Sequence, residues 1–365
     1  MTHDERRIRY AVVGAGNIAQ MAVLPAFEHA QTNSELAAIV SSDPQKRRTL
    51  RDRYELDFDG DYSELESLIE VANIDAVYIA TPNSLHKELA VRAAAAGAHV
   101  LCEKPLAPSS QDCRAIMHAC AEAGVRLMVA YRLHFERATL EALDIARSGK
   151  LGEPRLFSSF FSHVVREGDI RRDASLAGGA ILDLGVYCIN AARNLFNAEP
   201  ELVMADMVER DGTDDTVSAT LRFPGNRLAQ FCVSNSVAGV SSYRIAGTEG
   251  DLRVEPAYEY VGELIHYLTR QDETKKSTFK KGDQFAPELK YFSDCISSGR
   301  EPEPSGEEGW CDVRVVEAVQ ESARTHRPVT LPPYARRRKP TLVQADREPP
   351  VKKPSPVHAP SPSEK

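Results

Sequence analysis

With 365 residues, 42% of them hydrophobic and 27% charged, the chain is long enough for two domains and is neither disordered nor membrane-like in composition. A formal charge of −8 gives no reason to expect nucleic acid as a partner, and no apolar run of about 18 residues suggests a membrane span. The seven cysteines, odd in number and without a Cys-x-x-Cys pair, read as reduced thiols, and residues 1–10 hold three arginines but no apolar leader core, so a cytoplasmic protein is the expectation.

Residues 1–132 alternate short apolar runs at 8–13, 36–40, 76–80, 100–102 and 126–130 with helical patterns at 19–30, 45–54, 62–70, 85–96 and 109–123. Short strands buried on both faces and separated by helices predict a doubly wound parallel α/β sheet, a Rossmann domain. From 133 to 332 the rhythm changes. A helix ends near Arg147, a strand is predicted over 154–164, a charged loop spans 166–173, and Gly178-Gly179 opens an apolar helix running to about Phe196. β-rich segments with turn signals fill 201–253, and helices return at 284–298 and 312–325, an α+β domain with an open, mainly antiparallel sheet. Residues 333–365 carry eight Lys and Arg against three Asp and Glu from Ala335 onward, with many prolines and few large apolar residues. Such a stretch predicts a disordered basic tail.

Gly14-x-Gly16-x-x-Ala19 follows the first strand and opens a helix, the context a dinucleotide fingerprint requires: a tight turn at Gly14, close approach to a pyrophosphate at Gly16, helix packing at Ala19. After the second strand comes Ser41-Ser42-Asp43-Pro44-Gln45-Lys46-Arg47. Asp43 before Pro44 reads as an N-cap, while Lys46 and Arg47 place cations in a first helical turn, where the dipole disfavours them unless an anion docks there. NADP is therefore favoured over NAD; side chains simply pointing to water are the plain alternative. Glu103-Lys104-Pro105 lies at a strand's carboxyl end, with Pro105 keeping Lys104 out of helical angles. On the apolar helix after Gly179, Asp183, Tyr187, Asn190 and Asn194 form a polar stripe, and Asp183 and Tyr187, four residues apart, share a face. A phenol beside a carboxylate can pass the proton that accompanies hydride transfer; a buried, satisfied tyrosine is the structural alternative. His86, and Tyr131-Arg132-Leu133-His134, also sit at strand ends where they could line the nicotinamide and substrate sites. No His, Cys and carboxylate cluster has metal-ligand spacing, so no metal is expected.

Together these motifs resemble the Gfo/Idh/MocA oxidoreductase family, and within it the glucose-fructose oxidoreductase branch, over residues 8–331. The likeness rests on Thr81-Pro82-Asn83-Ser84-Leu85-His86, Glu103-Lys104-Pro105, Tyr131-Arg132-Leu133-His134, the 176–187 segment with Asp183 and Tyr187, and Gly306-Glu307-Glu308-Gly309. The resemblance implies Lys104 as the catalytic-site lysine, Tyr187 as proton donor and acceptor, and Asp183 as a substrate-orienting carboxylate. It further implies Ser41 and Lys46 as NADP-selecting positions, and a sheet face that commonly forms a homodimer. The candidate cofactor residues are then Gly14, Gly16, Asn17, Ile18, Ser41, Lys46, Thr81, Asn83, His86, Glu103, Lys104 and Arg132. The implied activity is NADP-dependent hydride transfer to or from a sugar or polyol. A dehydrogenase for an aldose or a dihydrodiol is the near alternative, and a non-enzymatic NADP sensor the distant one.

Overall fold

The computed structural model describes residues 6–363. In its first half the strands β1 (Ile8–Val13), β2 (Ser34–Val40), β3 (Phe58–Gly60), β4 (Ala76–Ile79), β5 (His99–Glu103) and β6 (Leu127–Ala130) form a parallel sheet in the order β3-β2-β1-β4-β5-β6. The order reverses beside β1, which opens a crevice at the carboxyl ends of β1 and β4. The edge strand β3 was not foreseen: three residues, one an aspartate, give no apolar run to read.

The second half carries β7 (Pro154–Ser162), β8 (Leu202–Arg210), β9 (Thr213–Phe223), β10 (Arg227–Ser234), β11 (Val240–Gly247), β12 (Gly250–Val254), β13 (Leu264–Arg270), β14 (Glu273–Phe279) and β15 (Val329–Thr330). These strands make one sheet in the order β14-β13-β12-β11-β7-β10-β9-β8-β15, antiparallel except where β7 meets β10. The hairpin β13–β14 was not anticipated, because the charged outer strand Glu273–Phe279, with Lys275 and Lys276, lacks apolar alternation, as suits an exposed edge. One face of the sheet packs Phe157, Phe231, Val233 and Ile245 against Leu140, Ile181, Leu184, Ile189 and Val319 of the helices. The other face leaves Leu156, Phe160, Met204, Val208, Leu228 and Val240 between 40% and 63% exposed.

A linear boundary at 132/133 separates the two sheets but not the two cores. Helix Ala286–Ser298 returns to the first sheet, where Phe285, Leu289 and Phe292 pack with Tyr10, Val12, Ile39 and Tyr78. Helix Gly306–Thr325 brings Trp310, Cys311 and Val313 to the opposite face. This helix starts six residues earlier than expected. Gly306 and Gly309 depress helix propensity, yet a Cβ at either would lie 2.6 Å from Leu127 or 2.8 Å from Leu106, so the glycines serve close packing.

The chain beyond Pro332 departs from the disordered tail that its composition suggested. Residues 333–363 run across the surface mostly without regular structure, anchored by side chains. Arg336 is buried among Glu199, Glu308 and Asn194, Gln344 Nε2 donates to Glu303 at 2.7 Å, and Lys290 pairs with Asp346 and Glu348 at 2.6 Å. Scarcity of apolar residues is a statement about core-forming capacity; it does not register buried ion pairs or the stiffness that proline gives an extended chain.

Candidate active site

Every candidate site segment lies at the carboxyl end of a strand of the first sheet or on the helix that faces it. Gly14 follows β1 with φ 97°, and a Cβ there would sit 2.5 Å from the Ala80 carbonyl oxygen, so only glycine fits the turn. At Gly16 no atom lies within 4 Å of where a Cβ would be, leaving the main chain open to a ligand. Ser41 is buried, its N–H donating to the Gly60 carbonyl at 3.0 Å. Asp43 caps helix Pro44–Arg53, accepting from the N–H groups of Gln45 and Lys46 at 3.0 and 2.9 Å. These bonds, and the imidazole of His358, hold its carboxyl down to about 2.

The two cations of that turn differ in fate. Arg47 is tied to Asp59 and Asp61, each at 3.4 Å. The Lys46 ammonium has no ion pair among the described residues. The Thr81 hydroxyl, after β4, is buried without a hydrogen-bond partner. An open glycine cradle, an orphaned hydroxyl and an unpaired ammonium along one crevice fit a dinucleotide with a 2′-phosphate. Asn17 donates through Nδ2 to the Ala359 carbonyl at 3.0 Å, Ile18 packs partly buried on the first core, and Asn83 donates to the Ala177 carbonyl at 2.8 Å, joining the two domains.

Lys104 and the helix stripe converge opposite this crevice. Lys104 Nζ donates to the Asp183 carbonyl at 2.9 Å, lies 3.3 Å from Asp183 Oδ1, and sits 4.6 Å from the centre of the Tyr187 ring. Burial alone would lower the Lys104 pKa, but the facing Tyr187, Asp183 and Glu103 outweigh it and hold the ammonium above its usual value. Asp183 lies in a π-helical turn, Ile181–Gly185, that precedes helix Val186–Phe196, a local widening that recurs at functional sites. Its other oxygen accepts from Arg171 Nε at 2.9 Å. Burial opposes the carboxylate, yet Arg171 and Lys104 together keep Asp183 well below the usual range. Arg132, nearly fully buried, donates to the Tyr187 hydroxyl at 3.3 Å and to the Tyr258 carbonyl at 2.5 Å, and also to Gln284. Phe161 meets the Tyr187 ring edge-on at 5.6 Å. Phenol, ammonium and guanidinium thus share one wall.

Several candidates are placed differently from the expectation. His86 has no exposed surface. Its Nδ1 and Nε2 lie 3.0 and 3.1 Å from the carbonyls of Pro105 and Thr81, so it fastens two site loops together and does not line the nicotinamide site. Glu103 accepts from the Tyr78 hydroxyl at 2.9 Å and the Lys104 N–H at 3.2 Å, bracing the lysine. Tyr131 and His134 turn into the interior, His134 meeting Glu303 at 3.0 Å and Asn190 at 2.9 Å, and Tyr131 donating to Asp312. Two residues at the site escaped the sequence reading. Arg171 comes from the charged 166–173 loop, and His163, whose buried Nε2 has no hydrogen-bond partner among the described residues and lies 3.9 Å from Asp183 Oδ2, from just past β7. Only the Arg171-Arg172 doublet ahead of an apolar helix hinted at the first. Among the described residues no group of three or more His, Cys, Asp or Glu is placed to hold a metal ion.

Fold and crevice define a dinucleotide-binding oxidoreductase. Residues 8–131 match the oxidoreductase family with NAD-binding Rossmann fold and residues 139–253 the GFO/IDH/MocA C-terminal domain; the chain belongs to the Gfo/Idh/MocA family. It is 33% identical to D-xylose 1-dehydrogenase (NADP(+)) 2 of Haloferax volcanii over 88% of this chain and 99% of that protein. The aldose-aldose oxidoreductase of Caulobacter crescentus, solved with glycerol, superposes with a TM-score of 0.85 at 33% identity, covering 89% of this chain and all of that one. A 3-ketoreductase of Actinomadura kijaniata, solved with NADP and TDP-benzene, gives 0.80 at 29% identity over 87% and 98%.

Proposed function

We propose that this protein is an NADP-dependent oxidoreductase that moves hydride to or from a carbinol or carbonyl carbon of a sugar or polyol. The observation that carries the reading is the common wall formed by Lys104, Asp183, Tyr187 and Arg132 opposite the glycine turn. NADP bound in the crevice supplies the hydride acceptor or donor. Gly14, Gly16, Thr81 and Lys46 are the residues that would hold it, Lys46 meeting the 2′-phosphate.

In the reducing direction the Tyr187 hydroxyl gives its proton to the substrate oxygen as that oxygen gains charge; in oxidation the same oxygen of Tyr187 receives it. The Lys104 ammonium stands where it can stabilise the developing alkoxide. Asp183 keeps that ammonium charged, and Arg171, bonded to the other oxygen of Asp183, holds the carboxylate in place. A regulator that only sensed NADP would need neither the phenol nor the lysine. The relatives named for xylose and aldose chemistry support a sugar substrate, six buried and unpaired cysteines suit a reducing cytoplasm, and the exposed apolar sheet face suits a homodimer. The test is an aldose and polyol panel with NADP, read at the nicotinamide absorbance band. Absence of any change across the panel, with NADP bound, overturns the enzymatic reading.

A further inference from the structure

The last described stretch of the chain crosses the dinucleotide crevice. Ser355 accepts from Arg53 Nη1 at 2.9 Å, at the last residue of the helix whose first turn carries Lys46. Val357 exchanges two bonds with the Gln20 side chain, at 2.7 and 2.9 Å. The His358 imidazole reaches Asp43 Oδ2 at 2.8 Å, and the Ala359 carbonyl accepts from Asn17. The chain then leaves the first domain. Pro362 accepts from the Arg166 N–H at 2.9 Å and Ser363 bridges to Val165, a few residues from Arg171. The path therefore runs from the ribose-phosphate end, past the glycine turn, to the substrate side.

From these contacts we propose that residues 354–363 are the outer wall of the cofactor site, a strap laid over bound NADP that governs its release. The proposal rests on the reading of NADP as the occupant of that crevice. The strap covers the space without filling it. Among the described residues no atom comes within 4 Å of where a Cβ at Gly16 would lie, the Lys46 ammonium has no ion pair, and the Thr81 hydroxyl has no hydrogen-bond partner. Prolines at 354, 356, 360 and 362 hold the segment extended, so docking it forfeits little chain entropy. At His358 the backbone takes φ 47°, a region that non-glycine residues seldom enter, and the turn so made delivers the imidazole to Asp43. Only Ala359 is buried. Because a handful of hydrogen bonds and one small apolar contact hold the strap, it can lift without unfolding either domain.

The experiment uses three proteins: the full chain, a chain ending at Lys353, and the full chain with Val357→Pro, which removes the N–H that Gln20 accepts. The truncation keeps the Arg336, Gln344 and Glu348 anchors. Bound NADPH is displaced with excess NADP in a stopped-flow fluorimeter. Both variants are expected to release NADPH about tenfold faster than the full chain or more, the behaviour of a removed lid. An unchanged dissociation rate in the folded variants overturns the strap, and tighter NADPH binding after truncation overturns it differently, by showing that the segment competes for the site. If the truncated chain fails to fold, Val357→Pro decides. Failure of all three to bind NADPH overturns the cofactor reading itself, a result distinct from equal rates.

Discussion

One helix carries a polar stripe whose two halves meet opposite fates. The first half, Asp183 and Tyr187, faces the crevice; the second, Asn190 and Asn194, enters an interior network with Arg193, Glu199, Glu308, Asp312 and Arg336. In the interior every charge meets at least one opposite charge. Arg193 pairs with Glu199 at 2.7 Å and with Glu308 at 3.3 Å, and also with Asp312. Arg336 meets Glu199 and Glu308 at 2.6 Å, and Asn190 donates to both Glu308 and Asp312. At the crevice the charges are balanced but the valences are not: the hydroxyl of Tyr187, the Nε2 of His163 and the ammonium of Lys46 retain capacity for a partner. Saturated networks fix a structure; unsaturated ones receive a ligand.

The contrast can be broken by showing that the halves respond alike. The largest effect is expected at the crevice, where Tyr187→Phe and Lys104→Ala each lower kcat by about 10²–10⁴-fold while NADPH affinity and the denaturation midpoint stay near the parent's. Equal loss of stability and turnover would dissolve the distinction. Next comes Arg336→Ala, which leaves buried Glu199 and Glu308 short of a cation and should cost about 3–5 kcal/mol in urea unfolding, with turnover of the surviving folded protein unchanged. A pH series sharpens this. Despite burial, Arg193 and Arg336 hold Glu308 well below the usual carboxylate range, so its stabilisation is present above the unfolded pKa and lost as pH falls through the folded one. Without Arg336 that loss begins at a higher pH.

Asp183→Asn is expected to act through Lys104. Loss of an opposite charge at this distance lowers a lysine pKa by about 1–3 units. The ammonium, now held above its usual value, would then deprotonate earlier, and the basic limb of the kcat profile should move to lower pH. An unmoved limb would show that Lys104 does not depend on this carboxylate. The smallest effect is Lys46→Ala, which should weaken NADP about tenfold, on the order of 1.4 kcal/mol, and leave NAD binding nearly unaltered in the same fluorescence titration.

Local spacing made part of this legible in the sequence. Gly14 and Gly16 directly after a strand, Lys104 at another strand's end, and Asp183 and Tyr187 one helical turn apart are short-range patterns, and the structure brings Lys104 into contact with both Asp183 and Tyr187. Arg171 and His163 could not be read that way, since a loop and a strand end reach Asp183 only through tertiary packing. His86 looked like a lining residue because a strand-end histidine that fastens two loops has the same sequence position as one that meets a ligand. The 333–363 segment was obscured by composition. Its anchoring arginine sits in the run Arg336-Arg337-Arg338-Lys339, where no local pattern marks Arg336 as the one that is buried.

The return of Phe285, Leu289, Phe292 and Trp310 to the first sheet has a consequence for synthesis. As the polypeptide emerges from the ribosome, the nucleotide-binding strands precede the second sheet, yet the side chains that complete the cover of both their faces arrive more than 150 residues later. Until they arrive, the sheet lacks part of the packing over Tyr10, Val12, Ile39 and Val129, and incompletely covered apolar surface is of the kind that chaperones engage. The nucleotide-binding domain is thus made before the second domain and completed only after most of it.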